Sequence, residues 1–268
     1  MCNKHKRLDS GMKIKEIIRR IPFAIEIYIG LRRLGRFPIF MADFFRFKRE
    51  IQNKERGMNI RISDWYPCLD DRTDKTTFDH HYVFHTAWAA RVLAQTKLEK
   101  HIDISSSLYF CSIASAFIPI DFYDFRPAPL NLTNLTCGAA DLTALSFANN
   151  SIKSLSCMHV IEHIGLGRYG DPLDPNGDIK AVNELKRVVS IGGNLLVVVP
   201  VGSPRIMFNA HRIYSFAQVR DLFDGFSLKQ FALITDEPSN GLILNADPSF
   251  ADIQKYGCGC FWFVKNSL

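Results

Sequence analysis

The sequence predicts an α/β protein with a doubly wound, mostly parallel seven-stranded sheet and a basic helical N-terminal extension. The strongest observation is residues 151–200, where a buried strand, a turn, a glycine-rich loop, an amphipathic helix and a second buried strand follow one another. That order is typical of a βαβ unit. The two strand candidates, Ile152–Met158 and 194–199, are short apolar runs rather than alternating ones, as expected where helices cover both faces of a parallel sheet.

Further strands and helices alternate on either side of this unit. Helical spacing of apolar residues predicts a helix over His80–Thr96 and another near 109–116. Ser215 is a candidate N-cap for a helix that ends near Asp224. The other predicted elements are strands, at 100–104, 119–124, 132–137, 227–235 and 258–264.

Charge divides the chain into two parts. Of the 33 lysines and arginines, 16 lie within residues 1–61, which hold only 6 of the 27 aspartates and glutamates. The rest of the chain therefore carries a net charge of −4, so no nucleic-acid-binding surface is predicted there. We assign residues 1–62 to a basic amphipathic helical extension and residues 63–268 to the α/β domain.

The extension mixes isoleucine, phenylalanine and leucine with arginine and lysine, and Pro22, Gly30, Gly35 and Pro38 are expected to break it into short helices. No apolar stretch approaches the roughly 20 residues that cross a bilayer, and no signal-peptide cleavage pattern is present. Short basic amphipathic helices bind anionic membrane surfaces. Residues 1–61 therefore either contact such a membrane or pack on protein. We expect a cytoplasmic protein, peripheral at the inner membrane face in the first case.

Seven cysteines are an odd number and form no CxxC pair, which is typical of reduced thiols in a cytosolic protein. Cys258 and Cys260 would face the same side of a strand, but a second pair of metal ligands is missing.

The run His159-Val-Ile-Glu162-His163 also matches the H-x-x-E-H pattern of inverted zinc peptidases. That chemistry needs a helix through all five residues and a third ligand, for which Glu184 is the nearest candidate. A strand before the run and Gly165 and Gly167 after it leave too little helix. Zinc hydrolysis is kept as the weaker alternative, and no metal ligands are assigned.

Acidic residues follow three consecutive predicted strands: Asp103, Asp124 and Asp141. This order of acidic residues after successive strands resembles the pattern of the Rossmann-like class I S-adenosylmethionine-dependent methyltransferases. The resemblance implies that Asp124 accepts from the ribose hydroxyls, that Asp141 accepts from the adenine amino group, and that Asp103 lies near the methionyl end. Ser105, Ser106, Leu142 and His159 complete the predicted cofactor-binding set.

Several segments, DHHYVFHTAW, HIDISSSLYF, IPIDFYDFRP, VIEHIGLGRYGDPLDPNG and FNAHRIYS among them, resemble the methyltransferase-like family called domain of unknown function 268. The resemblance covers residues 79–236 and implies a setting in bacterial surface-polysaccharide biosynthesis. One feature departs from the methyltransferase pattern. The loop after the first strand is Ser105-Ser106-Ser107 and lacks the glycine that lets a backbone approach its ligand closely.

Methyl transfer to a sugar hydroxyl requires a positioned acceptor and a proton acceptor. His163 and His211 are the predicted bases, and Glu162 is expected to orient one of them. The expected ligands of a charged sugar, nucleotide-linked or lipid-linked, are Arg168, Arg205 and Arg212. Two functions remain open: an O-methyltransferase acting on a sugar, and a non-catalytic protein of the same fold that binds a glycan or a membrane assembly partner.

Overall fold

The computed structural model describes residues 23–51 and 58–267. The chain forms two compact units, of which the first ends at Thr77 and the second begins at Phe78. The domain boundary expected at residue 62 lies inside the first unit. Pro22 and the most basic part of the extension lie outside the described residues.

In the first unit, helix α1 (Ala24–Ile51) runs without interruption, so the expected breaks at Gly30, Gly35 and Pro38 are wrong. Proline removes one backbone hydrogen bond from a helix interior, and packing can offset that cost. Here Phe40 and Phe44 pack edge-on against Trp65, with ring centroids 5.5 and 5.1 Å apart. None of the described helices is long and apolar enough to cross a membrane.

The second unit is built on one eight-stranded sheet with the order β3-β2-β1-β4-β5-β10-β8-β9. Its strands are β1 (His101–Ile104), β2 (Ile120–Asp124), β3 (Leu135–Ala139), β4 (Ile152–Met158), β5 (Val189–Val201), β8 (Phe226–Ile234), β9 (Leu242–Leu244) and β10 (Gly257–Lys265). Strands β1 to β5 are parallel to one another, whereas β10 is antiparallel to both β5 and β8. All seven predicted strands form, and the sheet gains an eighth, β9, at its edge. Two short strands, β6 (Arg205–Met207) and β7 (His211–Ile213), pair separately.

Helices cover both faces of the sheet, as the doubly wound prediction requires. They are α2 (His80–Thr96), α3 (Leu108–Ala114), α4 (Gly177–Val188), α5 (Phe216–Leu222) and α6 (Pro248–Asp252). Successive residues of β5 enter different hydrophobic clusters: Val197 shares one with Leu185 of α4, and Val198 shares the other with Trp88 of α2. Because both faces are buried, β5 is apolar at every position from Leu195 to Val201, whereas β1 and β4 also hold buried polar side chains.

Local signals set the helix ends. The Asp79 side chain accepts a hydrogen bond from Tyr82 N at the start of α2, and Ser215 and Gln218 form the capping box that begins α5. The chain direction across the sheet reverses at β1, whose neighbours are β2 and β4. In such sheets a crevice opens beside the carboxyl ends of these strands, and ligands bind there.

Candidate functional site

A cavity of about 440 Å³ lies at this reversal point, and we call it the switch-point cavity. Residues that follow four neighbouring strands line it: Ser105 after β1, Asp124 at the end of β2, Asp141 and Leu142 after β3, and His159 after β4. Five of the seven residues predicted to bind the cofactor therefore face one space. Its volume is within the range of small-molecule sites.

The two carboxylates in this cavity shape their own turns. Asp124 Oδ1 accepts from Arg126 N at 2.8 Å, and Asp141 Oδ1 accepts from the backbone N and the hydroxyl of Thr143 at 2.8 and 2.7 Å. In the part of the chain that the structure describes, the hydrogen bonds to these carboxylates all use Oδ1. The second oxygen of each can accept from a ligand hydroxyl or amino group.

The serine loop adopts the backbone conformation that the missing glycine would have provided. Ser105 has a φ of +57°, in the left-handed region that glycine favours, and its N–H donates to Tyr123 O at 2.7 Å. Ser106 lies outside the switch-point cavity. Its hydroxyl accepts from Met158 N at 2.9 Å, so it joins the loop to β4.

Asp103, predicted to lie near the methionyl end of a cofactor, is fully buried and does not line the cavity. Its carboxylate accepts from Ser106 N at 3.0 Å and from the hydroxyl of Ser156. Burial raises the pKa of Asp103 to about 6, and the hydrogen bonds from Ser156 and Ser106 oppose that rise. The expected direct contact between Asp103 and a cofactor is therefore not found. Instead, Asp103 holds the serine loop through the backbone of Ser106.

The glycine-rich loop after β4 is held by two buried or partly buried charges. Asp171 accepts from Gly165 N at 2.7 Å and from Gly167 N at 3.3 Å. Desolvation raises the pKa of Asp171, but the backbone N–H donors, led by that of Tyr169, outweigh it and hold this pKa below its usual range. The loop is thus an internally bonded turn that forms one wall of the cavity.

Arg212, predicted to bind substrate, is the second of these charges, and its position contradicts that role. It is 5% exposed and donates to Ile164 O at 2.7 Å and to Pro175 O at 3.2 Å. Its Nε lies 3.4 Å from the buried carboxylate of Asp178. These contacts fasten the loop to α4.

A second cavity, of about 450 Å³, adjoins the first, and we call it the histidine cavity. Five of the eight histidines of the chain line it: His80, His81, His159, His163 and His211. The two cavities share four lining residues, Tyr82, His159, His163 and Tyr169. Two of the three residues predicted to act in catalysis, His163 and His211, are thereby brought together, with ring centroids 6.4 Å apart.

Glu162, the third of them, is 1% exposed and lies between two histidines. Its Oε1 is 2.9 Å from His159 Nδ1 and 3.8 Å from His163 Nε2, while its buried Oε2 has no hydrogen-bond partner among the described residues. His163 Nδ1 lies 2.6 Å from Ala210 O, so that nitrogen carries the hydrogen and Nε2 is left as an acceptor.

Burial sets the protonation of the surrounding imidazoles. Desolvation lowers the pKa of His81 to about 4 and that of His85 to about 3, and it also lowers the pKa of His211. These rings are therefore neutral at neutral pH, and each keeps one ring nitrogen with a lone pair.

The inverted zinc-peptidase geometry does not form. Only Ile161–His163 makes a short 3₁₀ turn, so His159 and His163 do not lie on one face of an α-helix. Both oxygens of Glu184 bond to Arg187, so it cannot be the third ligand. A helix cannot form through the whole run because β4 ends directly before it and a loop begins directly after it, as the sequence predicted.

The two remaining arginines that were predicted to bind substrate, Arg168 and Arg205, lie in different places. Arg168 lines the histidine cavity and donates to Ala210 O at 3.1 Å. Arg205 lines neither cavity and bonds to the carbonyls of Ser203 and Lys255, so its predicted role in substrate binding is not supported by its position. Sequence reasoning missed Arg126 and Lys180, which both line the switch-point cavity. Both could have been found from sequence position, since Arg126 closely follows Asp124 and Lys180 lies in the first turn of α4.

Residues 144–246 match the family model described as "Caenorhabditis protein of unknown function, DUF268". The match covers less than half of the chain, and over this segment the chain is similar to that family. The matched segment spans β4 to β9 and includes His159, Glu162, His163 and His211, so most of the histidine cavity belongs to it. The resemblance predicted from the sequence is confirmed. The family description names no reaction, and it names Caenorhabditis rather than a bacterium.

Solved structures extend the likeness beyond the DUF268 segment. The N-methyltransferase NodS of Bradyrhizobium japonicum, in complex with S-adenosylhomocysteine, is 11% identical with a TM-score of 0.50, over 74% of this chain and 91% of that one. The 1,6-didemethyltoxoflavin-N1-methyltransferase of Burkholderia thailandensis is 9% identical with a TM-score of 0.50, over 68% of this chain and 79% of that one. At this identity the comparison shows the fold, which is the Rossmann-like methyltransferase fold. No curated protein matches the chain.

Proposed function

We propose that this protein is an S-adenosylmethionine-dependent O-methyltransferase whose acceptor is a hydroxyl group of a sugar in a surface glycan. One observation carries the proposal. Asp124 and Asp141, which follow adjacent parallel strands, both line a single cavity at the point where the strand order reverses. NodS and the toxoflavin methyltransferase, which share the fold, were both crystallised with S-adenosylhomocysteine.

The residues of the switch-point cavity fit the donor. The second oxygen of Asp124 suits the ribose hydroxyls, and Asp141 with the adjacent Leu142 suits the adenine ring and its amino group. Ser105 and His159 lie nearest the β1 and β4 ends, where the methionyl part would be held. Arg126 supplies positive charge for its carboxylate.

When bound, the donor supplies an electrophilic methyl group on a sulfonium. His163 is the group best placed to remove the acceptor proton, because its Nδ1 hydrogen is held by Ala210 O and its Nε2 is free to accept. Glu162 Oε1, 3.8 Å from that nitrogen, would stabilise the imidazolium that forms. His211 lies across the same cavity and can hold the acceptor by a hydrogen bond.

The histidine cavity favours a sugar as acceptor. Tyr82, Tyr169 and Tyr256 line it together with the five imidazoles. Aromatic rings present apolar faces to the C–H groups of a sugar, and the imidazole and phenol groups present donors and acceptors to its hydroxyls. Arg168, on the rim, suits a phosphate that links the sugar to a nucleotide or lipid.

Calorimetric titration of the full chain with S-adenosylmethionine tests donor binding. We expect binding in the micromolar range and a loss of at least tenfold in Asp124→Ala. The matched control is Asp121→Ala, because Asp121 lies on the same strand but bonds Thr136 and Lys100 away from the cavity. Absence of binding to the wild type, or equal affinity in both variants, would refute the proposed donor site and favour the non-catalytic alternative.

Transfer of a labelled methyl group to a panel of nucleotide-linked and lipid-linked sugars tests the acceptor. His163→Gln should lower the transfer rate by roughly 10²–10⁴ while donor affinity changes little, as expected for loss of a general base. Labelled product found only on a peptide or an amine would show that the acceptor is not a sugar.

We also propose that residues 1–61 bring the protein to an anionic membrane surface. Along α1, Ile27, Leu31 and Leu34 are exposed beside basic residues, as in helices that lie in the headgroup layer. Sedimentation with phosphatidylserine vesicles should decrease when residues 1–61 are deleted. Unchanged sedimentation would remove this part of the proposal.

A further inference from the structure

Three metal-binding side chains from three elements meet inside the second unit. His81 lies on α2, His159 follows β4, and Cys258 lies near the start of β10. One ligand atom from each lies within 4.8 Å of the others, and all three residues are buried. The proposed donor and acceptor sites use His159 and the face of His81, but neither site uses Cys258 or requires the three side chains to converge.

Glu162 fixes how His159 is presented to this group. The carboxylate is 2.9 Å from Nδ1, so that nitrogen donates its hydrogen and Nε2 carries the lone pair. It is Nε2 that faces Cys258, with its nitrogen 3.4 Å from Sγ. A carboxylate that accepts from one imidazole nitrogen while the other points at a ligand position is the usual second sphere of protein metal sites.

His81 provides an independent observation. It is 4% exposed, and its Nε2 has no hydrogen-bond partner in the described part of the chain. A buried polar atom without a protein partner is rare in native proteins, and a bound ion is one of the ordinary partners of such an atom. The His81 ring is stacked on that of His159, with centroids 5.8 Å apart and planes at 4°.

The spacing suits a small tetrahedral ion. With metal–sulfur bonds of about 2.3 Å and metal–nitrogen bonds of about 2.0–2.1 Å, tetrahedral ligand atoms are roughly 3.3–3.6 Å apart. The sulfur–nitrogen pair already has that separation, and the other ligand atoms, all within 4.8 Å of one another, need only a small side-chain adjustment to reach it. Thiolate and imidazole ligands select zinc and related transition metals over magnesium or calcium.

We propose that His81, His159 and Cys258 bind a zinc-class divalent metal ion, with Glu162 as the residue that orients His159. Three protein ligands leave a fourth position, and His81 and His159 both line the histidine cavity, so this position is open to solvent or to an acceptor oxygen. The site differs from a helical H-x-x-E-H site, since it uses neither His163 nor Glu184. It does not depend on donor binding.

Cobalt(II) titration of the chelator-treated full chain tests the site. Binding should release the Cys258 thiol proton and produce a thiolate-to-cobalt charge-transfer band that saturates at one equivalent and disappears when zinc is added. Cys258→Ser should abolish the band. Cys260→Ser is the matched control, since Cys260 is equally buried on the same strand but is not one of the three ligands, and it should keep the band. Glu162→Gln should weaken cobalt binding 10- to 100-fold.

A wild-type protein that gives no charge-transfer band, or a Cys258→Ser protein that gives the same band, would overturn the proposal. If circular dichroism shows that Cys258→Ser does not fold, His81→Gln decides. Wild-type cobalt affinity in His81→Gln would overturn the proposal, and a loss of at least tenfold would support it.

Discussion

His101 and Asp103, two fully buried residues of β1, are joined through the hydroxyl of Ser156 on β4. Ser156 donates its only hydrogen to Asp103, so His101 Nε2, 2.8 Å from the same oxygen, must be the donor to it. His101 Nδ1 then accepts from Ser154 Oγ at 2.7 Å. Burial lowers the pKa of His101 to about 3, so the ring is neutral and Nε2 carries its one hydrogen.

The network predicts an unusual pH dependence of stability. The folded-state pKa of Asp103, about 6, is above its ordinary value of 3.8, so the folded protein binds more protons than the unfolded one between these values. The contribution of Asp103 should therefore be present at low pH and be lost as pH rises through 6, a change of roughly 3 kcal/mol in the free energy of unfolding. The effect of His101 on stability has the opposite pH dependence. Its contribution to the free energy of unfolding is lost as pH falls from 6.5 towards 3, because the unfolded protein then binds the proton more readily.

Urea unfolding of the wild type and Asp103→Asn from pH 4 to pH 7 separates the two contributions. The contribution of His101 is present in both proteins and cancels in the comparison. As pH rises, only the wild type loses the contribution of Asp103, so the free energy of unfolding of the variant should increase relative to that of the wild type. The thiols of Cys111 and Cys157, the other titratable groups near Asp103, are neutral throughout this range. A difference that stays constant with pH would contradict the raised pKa.

The buried guanidinium of Arg212 predicts a large effect on stability. Arg212→Gln should lower the free energy of unfolding by about 3–5 kcal/mol, because the Asp178 carboxylate and two backbone carbonyls lose their partner. Arg220→Ala is the control, since Arg220 is exposed on α5 and should change stability by less than about 0.5 kcal/mol. Similar unfolding midpoints for the two variants would show that Arg212 does not hold the loop.

Alanine substitutions at two glycines of the same loop should distinguish the cost of backbone strain from the cost of a steric clash. Gly165 and Gly170 both have positive φ, +81° and +86°, but only at Gly165 would a Cβ collide, with the carbonyl oxygen of Asp174. Gly170→Ala should cost about 1 kcal/mol in stability from backbone strain, and Gly165→Ala about 1–3 kcal/mol more. Thermal unfolding measures both, and equal costs would contradict the close approach of the two backbone segments at Gly165.

The left-handed conformation of Ser105 predicts a ranking of substitutions. Ser105→Gly should keep or slightly raise the unfolding temperature, whereas Ser105→Val should lower the free energy of unfolding by about 1–2 kcal/mol, because a β-branched residue is strained at a φ of +57°. A Val variant as stable as the Gly variant would show that the loop relaxes to another conformation.

The sequence by itself determined most elements of the α/β unit and the placement of two of the three carboxylates, Asp124 and Asp141. The apolar run of β5 could be recognised without a structure because both faces of that strand are buried, and the order of acids after earlier strands could be read from the chain. Since parallel strands end at one edge, Asp124 and Asp141 could be expected to share a site. The capping residue Ser215 could also be recognised locally.

Tertiary structure decided which side chains face the cavities. Asp103 and Arg212 have the residue types of a binding site, yet their burial against protein partners depends on packing between β1, β4, α4 and the loop, which no local pattern encodes. The same holds for Cys258 and His159, which are 99 positions apart in the chain and meet only because β10 inserts antiparallel next to β5. Short-range periodicity specifies elements, whereas contacts between distant segments arise from the way their buried faces pack together.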